Sequence, residues 1–90
     1  MKVENMVSHN GNTIPNQLII HLPENVTVFQ SYKTVIAHNR NGVIVLDKNA
    51  LKYSKTTVKY LKQFLNTNES KKVLQSKMDS GFYEVEDLNN

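Results

Sequence analysis

Ninety residues without a cysteine bound this chain to one small domain, with neither a disulfide framework nor a thiolate metal site to supplement its core. No apolar run approaches the roughly 18 residues that a membrane-spanning helix needs, and no signal-peptide pattern follows Lys2, so a soluble cytoplasmic protein is expected. The net charge of +3 conceals a division: residues 48 to 78 hold eight lysines against Glu69 alone, while the remainder of the chain is acidic. With a single arginine, Arg40, the chain also lacks the planar forks that read guanine edges, which disfavours base-specific recognition in a major groove.

Residues 1–16 mix Asn, Ser, Gly, Thr and Pro with scattered apolar side chains, the composition of a loosely attached, flexible N-terminal arm, in which His9 reads as a solvated residue. The folded domain is expected over residues 17–90. Gln17 to Leu22 is a short, β-branched run ended by Pro23-Glu24-Asn25, and Val26 to Tyr32 resumes it, so the two predict a hairpin. Thr34 to His38 and Val43 to Asp47 predict a second hairpin, because Asn39-Arg40-Asn41-Gly42 between them tolerates the positive φ of a tight turn. Strict alternation then puts Val35 and Ala37 on a core face with Ile44 and Leu46, and Ile36 and His38 on the other with Val43, Val45 and Asp47. That second face is apolar enough to call for a cover, whether the N-terminal arm, a helix or another protein.

Asp47 to Tyr53 reads either as the start of a helix capped by Asp47 or Asn49, or as an irregular link; the link is preferred because Ser54-Lys55-Thr56-Thr57 looks like a fresh helix start. From there to Leu65, at about 100° per residue, Val58, Leu61 and Leu65 share one arc, with Tyr60 and Phe64 at its edge. Lys55, Lys59 and Lys62 gather opposite, and Lys52 would extend that stripe. Asn66-Thr67-Asn68 breaks the pattern and offers a cap to a second helix over about residues 69–79, burying Val73, Leu74 and Met78 and ending at Gly81. Phe82 to Leu88 alternates as a final edge strand. The expectation is a small α+β domain, an antiparallel sheet of four to five strands with two helices on one face, in the order β-β-β-β-α-α-β.

At Phe29-Gln30-Ser31-Tyr32, at Leu46-Asp47 and at Tyr53-Ser54-Lys55-Thr56-Thr57 followed by Tyr60, Phe64 and Leu65, the chain resembles a family of short uncharacterised proteins from phages and mobile elements of low-GC Gram-positive bacteria. The likeness spans about residues 17–88 and departs at Leu51, where that family is often aromatic. It implies a mobile-element origin and carries over no catalytic or binding residue. Proteins of this kind often bind a host component, and anti-CRISPR-like anti-defence inhibitors are one such class.

No pattern of reaction chemistry stands out. Ser31, Ser54, Thr56 and Thr57 read as strand, cap and first-turn residues, and three glycines form no phosphate loop. His21, His38 and Asp47 could approach one another in a sheet but lack the short ligand spacings of a zinc site. A non-enzymatic protein with neither cofactor nor metal is expected. Its binding residues would be Lys52, Lys55, Lys59 and Lys62 with Tyr53, because nothing acidic precedes those lysines by four residues and they repel one another until an anion arrives. The partner would be a host protein or protein–nucleic acid complex, met by the basic helix or the apolar second sheet face; alternatively the lysine face makes the chain a nucleic-acid-binding module.

Overall fold

Asn41 and Gly42 take up positive φ angles of 54° and 90°, and this two-residue turn sets Arg40 opposite Val43. It is one of four turns in a meander. A computed structural model describes residues 1–89, with strands β1 (Lys2–Val7), β2 (Thr13–Leu22), β3 (Val26–Ser31), β4 (Thr34–Arg40) and β5 (Val43–Asp47). Helices α1 (Lys55–Leu65) and α2 (Lys71–Ser80) follow, then strand β6 (Glu84–Glu86). The sheet has six strands in chain order, the first five antiparallel and β6 parallel to β5.

The α+β class and the two helices are as expected, and four features differ from expectation. Residues 1–16 do not stand apart as an arm: they supply β1 and the start of β2. Met6 is buried in the core, and the Gln63 side chain donates to the Val7 carbonyl at 2.9 Å, fastening β1 to α1. The sheet therefore has six strands and is mixed, with α1 and α2 forming the long crossover that a parallel β5–β6 pair requires. In β4 the partners of Phe29 and Gln30 are Ala37 and Val35, which leaves Ile36 as an extra, bulged residue. The bulge breaks the alternation, so Ile36 and Ala37 are both fully buried while Val35 falls in line with Gln30. Finally, α2 begins two residues later than expected and is capped by Ser70, whose hydroxyl accepts from Val73 N; Val73 itself is exposed.

The link from Asp47 to Tyr53 is irregular, as preferred from the sequence. One core joins the helices to one face of the sheet. Phe29, Ile36, Ala37 and Leu46 meet Val58, Tyr60 and Leu61 of α1 and Leu74 and Met78 of α2, and Phe29 stacks on Phe64 with ring centroids 5.9 Å apart. Each large side chain so buried stabilises the fold by about 1.5–3 kcal/mol. The opposite face carries a cross-strand row, Val3, Ile20, Val28, His38 and Val45, set by the register of β1 to β5. None of these five belongs to the core that takes in both helices, and β1 extends the sheet instead of covering that face.

Candidate functional site

The basic surface is built by the way α1 is seated. Ser54 Oγ accepts from Thr57 N at 3.2 Å, the N-cap bond that starts the helix. Thr57 is buried, and its Oγ1 lies 3.0 Å from Ser31 Oγ on β3, so the first turn is pinned to the sheet by a buried polar pair as well as by packing. With Thr57, Val58, Tyr60 and Leu61 turned inward, Lys55 and Lys59 are exposed and Lys62 is half-buried. Asn66, left-handed at φ 55°, ends the helix and returns its N–H to the carbonyls of Lys62 and Gln63. The short connection brings the first turn of α2, and Lys71 with it, back beside α1.

The result is a groove of about 330 Å³ lined by Tyr53, Lys55, Val58, Lys59, Lys62 and Lys71. Three of the four expected lysines and Tyr53 come together in it. Lys52 does not line it, though it is exposed nearby in sequence. Lys71 was missed, because its proximity depends on how sharply the chain turns at Asn66. Two further depressions adjoin. One of about 270 Å³ shares Lys59 and Lys62 and adds His9, Gln63, Asn66, Thr67 and Asn68. The other, about 550 Å³, shares Lys71 and adds Lys72, Gln75, Ser76 and Asp79.

Among the described residues, the ion pairs in the helical segment take up only Lys48, with Asp87 at 3.3 Å, and Lys77, with Glu69 at 2.8 Å. Glu69 is the one acid of that segment. The Lys77 ammonium, hydrogen-bonded to it, holds its carboxyl below the usual range, and Glu69 in turn raises Lys77. Lys52, Lys55, Lys59, Lys62, Lys71 and Lys72 have no carboxylate within 4.0 Å among the described residues. Neither helix has an acid in its first turn, where Lys55 and Lys71 instead stand against the positive end of the helix dipole. Burial, with the Asp47 carboxylate second, pushes the Tyr53 hydroxyl up, so Tyr53 is a neutral phenol and its OH points to Asp47 Oδ2 at a long 3.5 Å.

The other polar candidates are dispersed. His21 meets Glu4 at 2.9 Å, whereas His38 pairs with Val28 and Val45 on the other sheet face. Among the described residues no group of three His, Asp or Glu side chains is placed to hold a metal ion. Of the tyrosines, Tyr60 and Tyr83 are buried while Tyr32 and Tyr53 are exposed. Among the described residues no helix is long and apolar enough to cross a membrane.

A family of unknown function (DUF8033) matches residues 1–80. The chain belongs to that family. The DUF8033 match takes in everything from β1 to the end of α2, including the whole groove and the N-terminal segment, and stops before β6. No curated protein and no solved structure matches the chain.

Proposed function

We propose that the chain is a non-enzymatic accessory protein that acts by binding another macromolecule, and that it takes an anionic surface of that partner in the groove between α1 and α2. The observation that carries this is the set Lys55, Lys59, Lys62 and Lys71, which line one depression with no carboxylate within 4.0 Å among the described residues. Like charges gathered on one depression, with no carboxylate to offset them, repel in the free protein over a range set by the Debye length of about 8 Å at physiological salt. A bound anion reverses the sign of that interaction. The hydroxyls of Ser54 and Thr57 are engaged in the cap and the contact with Ser31, a structural use that fits binding better than nucleophilic chemistry.

The setting follows from the sequence resemblance alone: a phage or mobile-element protein acting on a host component in the cytoplasm, with an anti-defence inhibitor as one form of it. Retention on immobilised heparin, used as a plain polyanion, tests the groove. Lys59→Glu/Lys71→Glu should elute at clearly lower salt than Lys33→Glu/Arg40→Glu, a double variant of equal charge outside the groove. Equal elution of the two would remove the groove from the function.

A further inference from the structure

We infer that the occupant of the groove is single-stranded nucleic acid, held by its phosphodiester backbone along a track of three adjoining depressions, with a base stacked on Tyr53. This rests on the anion-binding reading and gives it a chemical class.

The depressions are joined by shared lysines. Lys59 and Lys62 belong to the first and the central one, and Lys71 to the central one and the third. A linear polymer bearing a charge at every repeat matches that arrangement, whereas a compact anion would fill one depression and leave the others unused. Between the ammonium groups the walls carry neutral polar side chains: Gln63, Asn66 and Asn68 on one side of the centre, Gln75 and Ser76 on the other. Amides and hydroxyls of this kind bond phosphate oxygens and base edges alike. Among the described residues Asp79 is the single carboxylate on the track; it stands in the third depression and accepts from Gln75 at 3.0 Å.

An acidic protein is the competing occupant. Protein interfaces place their energy in a core depleted of charge and anchored by aromatic and aliphatic side chains. Here four of the six residues lining the central depression are lysines, and its apolar part is only Val58 and the ring of Tyr53. A single aromatic ring beside a row of point charges is instead the arrangement by which proteins hold single strands without reading their sequence. Lysine supplies attraction without a fork, so discrimination among bases should be slight.

Fluorescence anisotropy of the full chain with a labelled 12-nucleotide oligo(dT), the same sequence in duplex form, and poly-glutamate separates the possibilities. The single strand should bind most tightly, and four phosphate contacts should give a log–log salt slope of about −2.8, at about 0.7 per contact. Lys71→Ala should reduce that slope by about 0.7. Tyr53→Leu should weaken the single strand about tenfold with the slope unchanged, and Tyr53→Phe should restore it, since stacking needs the ring and not the hydroxyl. Tighter binding of the duplex, or no loss in Tyr53→Leu, overturns the inference. Tighter lysine-dependent binding of poly-glutamate overturns it too but leaves the anion-binding reading intact, whereas failure of all three polymers sinks both.

Discussion

Asn89 is bonded to both main-chain groups of Val35: its Oδ1 accepts from Val35 N at 2.6 Å and its Nδ2 donates to Val35 O at 2.8 Å. A side-chain amide thus does for β4 what a neighbouring strand would do, at a position beyond the Ala37–Leu46 pair where β5 pairing starts. Asn89→Ala, which removes both bonds together with the amide's contact to Asp47, should cost about 1–2 kcal/mol, since these groups are partly exposed and water replaces some of the loss. For a domain of this size that is a fall in melting temperature of about 4–16 °C, readable by thermal denaturation. Asn89→Asp keeps the acceptor for Val35 N but turns a carboxylate oxygen toward the Val35 carbonyl and Asp47 Oδ1, which the native amide meets at 2.8 and 3.2 Å, so it should cost more than Asn89→Ala at neutral pH.

The same amide also reaches Asp47, a buried carboxylate that organises the end of β5. Asp47 Oδ1 accepts from Leu88 N at 2.9 Å and from Asn89 Nδ2 at 3.2 Å, while Oδ2 accepts from Asn49 N at 3.0 Å. Asp47→Ala would strip these donors of their acceptor, at about 1–3 kcal/mol for each group left without a partner. A loss of stability larger than that of Asn89→Ala is expected in urea denaturation. An equal or smaller loss would show that water can take over the role of the carboxylate.

Much of the helical layer was legible because its signals are local. Ser54 as cap, the arc of Val58, Leu61 and Leu65, and the opposite lysines all follow from spacing within a dozen residues. The bulge at Ile36 was not legible, since a count of one extra residue in β4 exists only relative to β3. Met6 was hidden for a similar reason: in a polar stretch, one methionine gains meaning only once α1 is overhead. Lys71 joined the groove through the turn at Asn66, a long-range consequence of one left-handed residue.

Ser54→Ala removes the acceptor for Thr57 N and should cost about 1 kcal/mol. Because Thr57 also meets Ser31 across the core boundary, Thr57→Val should cost more than its conservative size suggests, by leaving the Ser31 hydroxyl without that partner. The two substitutions share one network, so the double variant should lose less than the sum of the single losses, a double-mutant cycle being the measurement.

Tyr32 holds a left-handed backbone at φ 55° in the turn between β3 and β4, and the residue is 62% exposed. A bulky side chain in that region is strained, and its exposure means that little packing offsets the cost. Tyr32→Asn, which tolerates the conformation, should stabilise the protein by about 0.5–1 kcal/mol. A lower melting temperature for that variant would mean that the exposed ring contributes more than the backbone costs.

Glu69 and Lys77 make the approach to α2 sensitive to acid. The Lys77 hydrogen bond lowers Glu69, so its contribution to stability is complete above the ordinary carboxyl value of 4.5 and is lost as pH falls through the lower value that it has in the fold. Lys77 is raised, chiefly by the same bond, so its share is complete below its ordinary 10.5 and is lost as pH rises past it. Glu69 also accepts from Thr67 Oγ1 at 3.1 Å, and Lys77 lies 4.5 Å from the centre of the Phe82 ring, so the pair ties the chain before α2 to the residues after it. In Glu69→Gln the neutral amide has no such titration. The stability difference between the native chain and Glu69→Gln should be flat from pH 6 to 9 and shrink below about pH 4.5, as urea midpoints would show. A difference unchanged down to pH 3 would mean that the ion pair adds nothing beyond the neutral hydrogen bonds.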